Sequence, residues 1–522
     1  MAQSNSWRRV RAALGVGTAA VLAAVIGLPM YAEKACIGSE AEGYSVAWQL
    51  RGCSFMIAIG GTQSLALATA YNDRAVTYQG MSKRQEALAD YSQALKLAPD
   101  YALVLTNRGL LYNQLGEYDH AIADFDAALG FDTSNSSAFG GRGRAYAAKG
   151  DHDRAIKDFD AALQLDDDAA THNDRGLSHY AKHETTEALA DFNRAIKLDS
   201  LLGAAYYNRG KIYNETDEYA RAIGSLTRAI ELDPDDMDAV NERGYAYQNS
   251  SQADLALIAF EQVIAADPNR AEAYNGRGNA LQDQGESDRA LPDFQKALDI
   301  DPKYGAAYYD RAVVYHSQGE YYRAIADYDQ AVALMPKYPA AYVGRGEALI
   351  ETGETTRAIA DYDTALQLNS NYVRAYTDRA YAYRTLGDYV RAMANYDEVV
   401  KREPTSETYM RRCWARAVVN RDLPTALTDC NEALRQRADS SFALESRCFV
   451  YLRMGEIDRA MADCDAALKI DADLPDGLYL RGLLKRRKGD VAGSNDDIAA
   501  AETLEPKITA TFKGYGVPVA GA

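Results

Sequence analysis

Arginine recurs along this chain at Arg74, Arg108, Arg142, Arg175, Arg209, Arg243, Arg277, Arg311, Arg345, Arg379, Arg412, Arg447 and Arg481. The spacing is 34 residues, with three single-residue slips. A fixed period of this length means that one supersecondary unit is copied in tandem, so the 522 residues need not share a single core. Other residue types keep step. Gly, Ala or Cys follows each Arg (Gly109, Ala75, Cys413), and Ala stands twelve or thirteen residues later (Ala87, Ala121) in every unit but the last, which has Ser494. Four positions on comes a large side chain, usually aromatic, such as Tyr91, Phe125, Phe260 or Tyr362. Small residues let two antiparallel helices approach closely, and the large one fills the space between them. Glycines such as Gly116, Gly150 and Gly285 end the first helix of a pair, and prolines such as Pro99 and Pro234 stop the second. Most of the 37 tyrosines fall at fixed unit positions, which makes them packing residues.

This pattern resembles the tetratricopeptide repeat. About thirteen units span residues 68–508. The resemblance implies an all-α fold, a right-handed superhelical solenoid of helix-turn-helix repeats. It also implies a non-catalytic role in protein–protein interaction, with no cofactor. The chain as a whole resembles exported multi-repeat proteins of Gram-negative bacteria. One departure from the family is systematic: the seventh unit position, normally apolar, is Arg throughout. Sixteen or seventeen residues later stands Asp in ten units, from Asp90 to Asp497, and Ser225, Ala259 or Asn395 in the others. A planar guanidinium suits a two-pronged carboxylate contact, so an ion-pair ladder is expected.

Lys and Arg number 57 against 75 Asp and Glu, a net charge of −18, which argues against nucleic acid as a partner. Arg8, Arg9 and Arg11 precede an uncharged stretch over residues 12–32. Residues 1–32 therefore read as a signal peptide or, alternatively, a retained inner-membrane anchor. Either places the rest of the chain across the membrane, periplasmic or exported. Residues 33–67 read as a degenerate helical hairpin that caps the array, and residues 509–522 as a short packing segment and tail.

The six cysteines fall as Cys36–Cys53, Cys413–Cys430 and Cys448–Cys464, separated by 17, 17 and 16 residues. Cys413 and Cys448 take the small position of their units, and Cys430 and Cys464 the large one. These positions lie at one height on facing helices, so a disulfide within each hairpin is expected; six reduced, buried thiols are the alternative. His172, His179 and His183 are expected on one helix. His172 and His179 stand where other units have Tyr, so they read as packing rings, not metal ligands.

In the family, unit positions 2, 5, 9, 12 and 13 of the first helix face the groove. A chaperone-type carboxylate clamp needs Lys at position 5, and no unit has one. Asn241, Asn275, Asn279 and Gln282 offer amides to a peptide backbone or to sugar hydroxyls. The last three units offer Met410, Trp414, Phe442, Phe449 and Leu452 with Arg453, Arg486 and Arg487 beside them. These residues are the candidate partner-binding set. The alternative is that the C-terminal tail folds back onto the apolar members, or that they pack between units. The expected partner is a protein or peptide, in a cell-envelope scaffold; a polysaccharide-binding or export accessory module is the other reading.

Overall fold

The computed structural model describes residues 28–37, 45–59 and 64–517. The described residues form helices and turns. A hairpin of Leu28–Ile37 and Val46–Ile59 comes first. Its first helix runs through the expected processing point after Ala32; the remainder of the apolar leader lies outside the described residues. From Ser64–Gly80 and Arg84–Leu97 to Pro475–Arg487 and Val491–Leu504, helices then alternate as antiparallel pairs. A short helix, Ile508–Gly514, follows, at the segment read from sequence as short packing and tail. Among the described residues no helix is long and apolar enough to cross a membrane.

The chain divides into two compact units, residues 1–259 and 260–522, with the division inside the helix Ala253–Ala266. Within each, a helix packs on its hairpin partner, on the next hairpin, and often on the next first helix.

The large residue of the motif is a wedge. Phe125 is fully buried, and a Cβ on either Gly109 of its own hairpin or Gly141 of the next would fall within 2.8 Å of its ring. One side chain thus closes a hairpin and seats its successor. The hairpin turn needs a left-handed residue. Gly supplies it at eight turns, and Ser82, His183, Asp217, Ser251 and Asn420 take that conformation where Gly is missing. His183 is therefore outside the helix Ala169–Ala181, not on one face with His172 and His179 as expected.

The arginines form the ladder in a different way from simple pairing. In Arg311, Nε and Nη2 each donate to Asp327 of the same hairpin at 2.7 Å. The remaining nitrogen, Nη1, donates at 2.6 Å to Gln295 on the preceding hairpin. The same three-way arrangement joins Arg142 to Asp158 and Asp126, and Arg345 to Asp361 and Asp329. The bidentate pair closes its own hairpin, and inter-hairpin register comes from an acceptor two residues after the Asp. Hydrogen bonding to Asp158 and Asp361 raises the pKa of Arg142 and Arg345, so their charge is permanent. Where Asp is missing, Ser225 accepts from Arg209 at 3.1 Å and Asn395 from Arg379 at 2.9 Å. Opposite Arg243 stands Ala259, and the Arg243 Nε is buried without a partner.

The three cysteine pairs are bonded as Cys36–Cys53, Cys413–Cys430 and Cys448–Cys464, with Cα atoms 4.5, 5.6 and 5.5 Å apart. In the two later hairpins the disulfide occupies the space that a wedge fills elsewhere.

Replacing Asp327 with Ala should destabilise the fold by about 1–3 kcal/mol, because it strands a half-buried guanidinium. Ala259→Asp should do the reverse, by about 1 kcal/mol, by giving Arg243 its missing acceptor. Denaturant melts followed by helicity test both, and two unchanged midpoints would refute the ladder. A non-reducing peptide map should recover the three intra-hairpin bridges, each contributing on the order of 3 kcal/mol through loop closure. Bridges between hairpins would contradict this arrangement.

Candidate functional site: a carboxylate-floored cleft at the C-terminal end

The first helices of the last three hairpins are Ser406–Val419, Ser441–Met454 and Pro475–Arg487. Their apolar residues do not form one open patch. Phe449, Leu452, Tyr479 and Leu483 are buried, so Phe449 and Leu452 leave the set of exposed candidates. The covering element is Ile508–Gly514 with the turn after it. Phe512 stacks on Tyr479 at 4.7 Å and meets Phe449 at 5.6 Å and Trp414 at 6.4 Å. The Tyr515 hydroxyl lies 2.9 Å from that of Tyr389. The helix Ile508–Gly514 covers the face that a following hairpin covers elsewhere.

The arginines are engaged as well. Arg453 lies over the Phe449 ring and donates to the carbonyl oxygens of Ala417 at 3.0 Å, Val418 at 3.2 Å and Tyr515. It is a clasp for the chain end, not a rim for a partner. Arg486 is turned to Ser494 and Asn495 of its own hairpin. Arg487 is exposed. Lys485 and Lys488, beside them, pair with Asp497 and Asp458 at 2.8 and 2.7 Å.

What remains open is a cleft of about 740 Å³. Met410, Trp414 and Phe442 form its apolar wall, and Phe442 is 54% exposed. Arg384, Arg411 and Arg437 line it, as do Thr405, Ser406, Glu407, Ser440 and Ser446. Its floor carries Glu445 and Asp476. Arg411 is held by Glu407 at 2.6 Å, one turn away on the same helix. Glu445 is only 5% exposed, and its Oε1 has no hydrogen-bond partner. Burial pushes the Glu445 carboxyl well above the usual range, and the negative charges of Asp476 and Asp471 push it the same way; the Gly477 N–H opposes them. Burial also raises Asp476, to about 7, with Glu505 adding to the rise and Arg384 opposing it. Neither Glu445 nor Asp476 is among the residues singled out from the sequence. The available signal was two acids at groove positions 5 and 2 of adjacent units.

The amide candidates fall in both units. Asn275 and Asn279 each donate to Asp310 Oδ2 at 2.8 Å, on the next first helix. They are tied to a half-buried carboxylate of the neighbouring helix. Gln282 is half-buried on the same helix as those two. Asn241 belongs to the other unit, is buried, and leaves its Oδ1 without a partner. His172 is hydrogen-bonded on both ring nitrogens, to Asp191 at 2.9 Å and Asp167 at 2.8 Å. His179 bonds Glu184 at 2.7 Å. Among the described residues no cluster of His, Cys, Asp and Glu is placed to hold a metal ion.

Family models described as tetratricopeptide repeats match residues 72–138, 136–169, 173–237, 271–304, 294–326, 314–353, 346–387 and 373–406. Together they cover more than half of the chain, which belongs to the tetratricopeptide repeat family. The matched segments omit residues 238–270, where Ala259 interrupts the ladder, and the cystine hairpins after 406. No curated protein matches the chain. Among solved structures it is similar to the chain titled "Crystal structure of APC/C hetero-tetramer Cut9-Hcn1", at 14% identity and a TM-score of 0.42, over 91% of this chain and 96% of that one. A crystal structure of MamA protein is 28% identical over 33% of this chain and 94% of its own, with a TM-score of 0.31. Yeast Tom70 is 16% identical over 85% and 99%, with a TM-score of 0.35.

Asp476 gives the cleft a pH signature. An unfolded Asp ionises near pH 4, whereas the folded one holds its proton to about 7. Folding is therefore favoured below that window, and stability falls as pH rises from about 4 to about 7. Asp476→Asn should abolish this part of the decline, worth about 2–4 kcal/mol between those limits. Melts of both proteins across this range test it; parallel curves would contradict the shift.

Proposed function

We propose that this protein is a non-catalytic protein-interaction scaffold of the bacterial cell envelope, holding a peptide or protein partner along the groove face of its first helices. The observation that carries the reading is the cleft of Met410, Trp414, Phe442, Glu445 and Asp476. It lies at groove positions of three successive hairpins, and it stays open where the terminal helix covers their other apolar residues. A half-buried aromatic wall beside desolvated charges is the composition of an interface hot spot. Membership in a family of interaction repeats supports the same role.

Three cystines in one chain suit an oxidising compartment, and the cationic, then apolar, N-terminus suits export. Whether the leader is cleaved or anchors the chain in the inner membrane is a question for the mature N-terminus, which Edman or mass analysis of envelope protein answers directly.

Crosslinking in the native envelope, followed by mass spectrometry of captured proteins, should return a specific partner. Phe442→Ala removes an exposed ring and should reduce its recovery while leaving helicity unchanged. Phe449→Ala is the contrasting variant: it empties a buried site and should cost about 3–5 kcal/mol of stability. Undiminished capture by Phe442→Ala would remove the cleft as the partner site, and capture of glycan in place of protein would overturn the reading.

A further inference from the structure

The charges in the cleft do not balance at one point. Arg411 is neutralised within its own helix by Glu407, and Arg437 stands 3.5 Å from Asp439. Arg384 is the cation that acts on Asp476. That leaves Glu445, whose Oε1 is buried, unpartnered and part of the cleft floor. The charges that act on Glu445 from the neighbouring helix and turn are the acids Asp476 and Asp471. Burial favours the neutral acid at such a position, and an incoming cation would draw Glu445 to its charged form with release of the proton. Beside it stand Trp414, Met410 and the exposed ring of Phe442. Aromatic faces attract cations, and the wall offers apolar contact to an aliphatic stem.

We infer that the cleft is a receptor for one basic side chain, a lysine or arginine of the bound partner, with its cation on Glu445 and its stem against Trp414, Met410 and Phe442. This rests on the scaffold reading and adds a charge preference to it. Arg411 is held by Glu407, whereas the buried Oε1 of Glu445 has no hydrogen-bond partner. A carboxylate or phosphate ligand would have to lie in a cleft lined by Glu445 and Asp476.

Calorimetric titration of the full chain with capped Gly/Ser peptides tests this. Peptides with one central Arg or Lys should bind, and the same peptide with Gln or Glu at that position should bind about tenfold or more weakly. Glu445→Gln should weaken the Arg peptide by a similar factor. This variant keeps the shape of the side chain and removes its ability to ionise, and a melt of it confirms folding. Phe442→Ala, at an exposed position, should also weaken binding. Equal affinity for the Arg, Gln and Glu peptides, or an Arg peptide indifferent to Glu445→Gln, would overturn the proposal. Butylguanidinium chloride separates the two readings, since it needs only the cleft. If it binds in a manner lost in Glu445→Gln while no peptide binds, the cation site stands and the scaffold reading falls. If peptides of any charge bind and butylguanidinium does not, the scaffold reading stands and the cation site is overturned.

Discussion

The guanidinium at the seventh unit position organises the stack because its donors point in more than one direction. Two nitrogens close a fork on the aspartate of the same hairpin, and the third reaches back to the hairpin before it, as in Arg142 and Arg311. Lysine presents no such fixed fork, so the contact depends on the planarity and permanent charge of Arg. Hydrophobic wedges such as Phe125 hold the same two neighbours together, but an apolar contact tolerates sliding. The polar one has a defined length and direction, and it sets register. Apolar filling and polar alignment thus act on one joint by different means.

Much of this could be read from the chain. Period, helix pairing and the intra-hairpin partner of each Arg follow from identities that repeat. The backward hydrogen bond did not, and the reason is chemical. Its acceptors include Ser92, Asp126, Asn193, Thr227, Gln295 and Asp329. The side chains change from unit to unit while an acceptor oxygen persists, so a search for repeated identities passes over them. Helix boundaries failed at His183 for a related reason: a left-handed turn usually marked by Gly was taken by an imidazole-bearing residue.

The candidate site was harder to read because it depends on departures from the repeat. Trp414, Phe449, Tyr479 and Leu483 are similarly apolar in sequence, yet Phe512 and Tyr515 decide which of them meet water. Those covering residues follow the last repeat, outside the periodic pattern. Glu445 and Asp476 carry no periodic signal either. Their importance comes from desolvation, which arises only when the adjacent first helices are stacked.

The cystines have a mechanical meaning. If the chain were drawn out by its two ends, an ordinary hairpin would yield its full contour. Each cross-linked hairpin would withhold the segment between its cysteines, 17 residues for Cys413–Cys430 and 16 for Cys448–Cys464. At roughly 3.5 Å per residue this is about 6 nm of slack that each bridge denies to a pulling force. The end of the chain that carries the open cleft is thus also the end that can lengthen least.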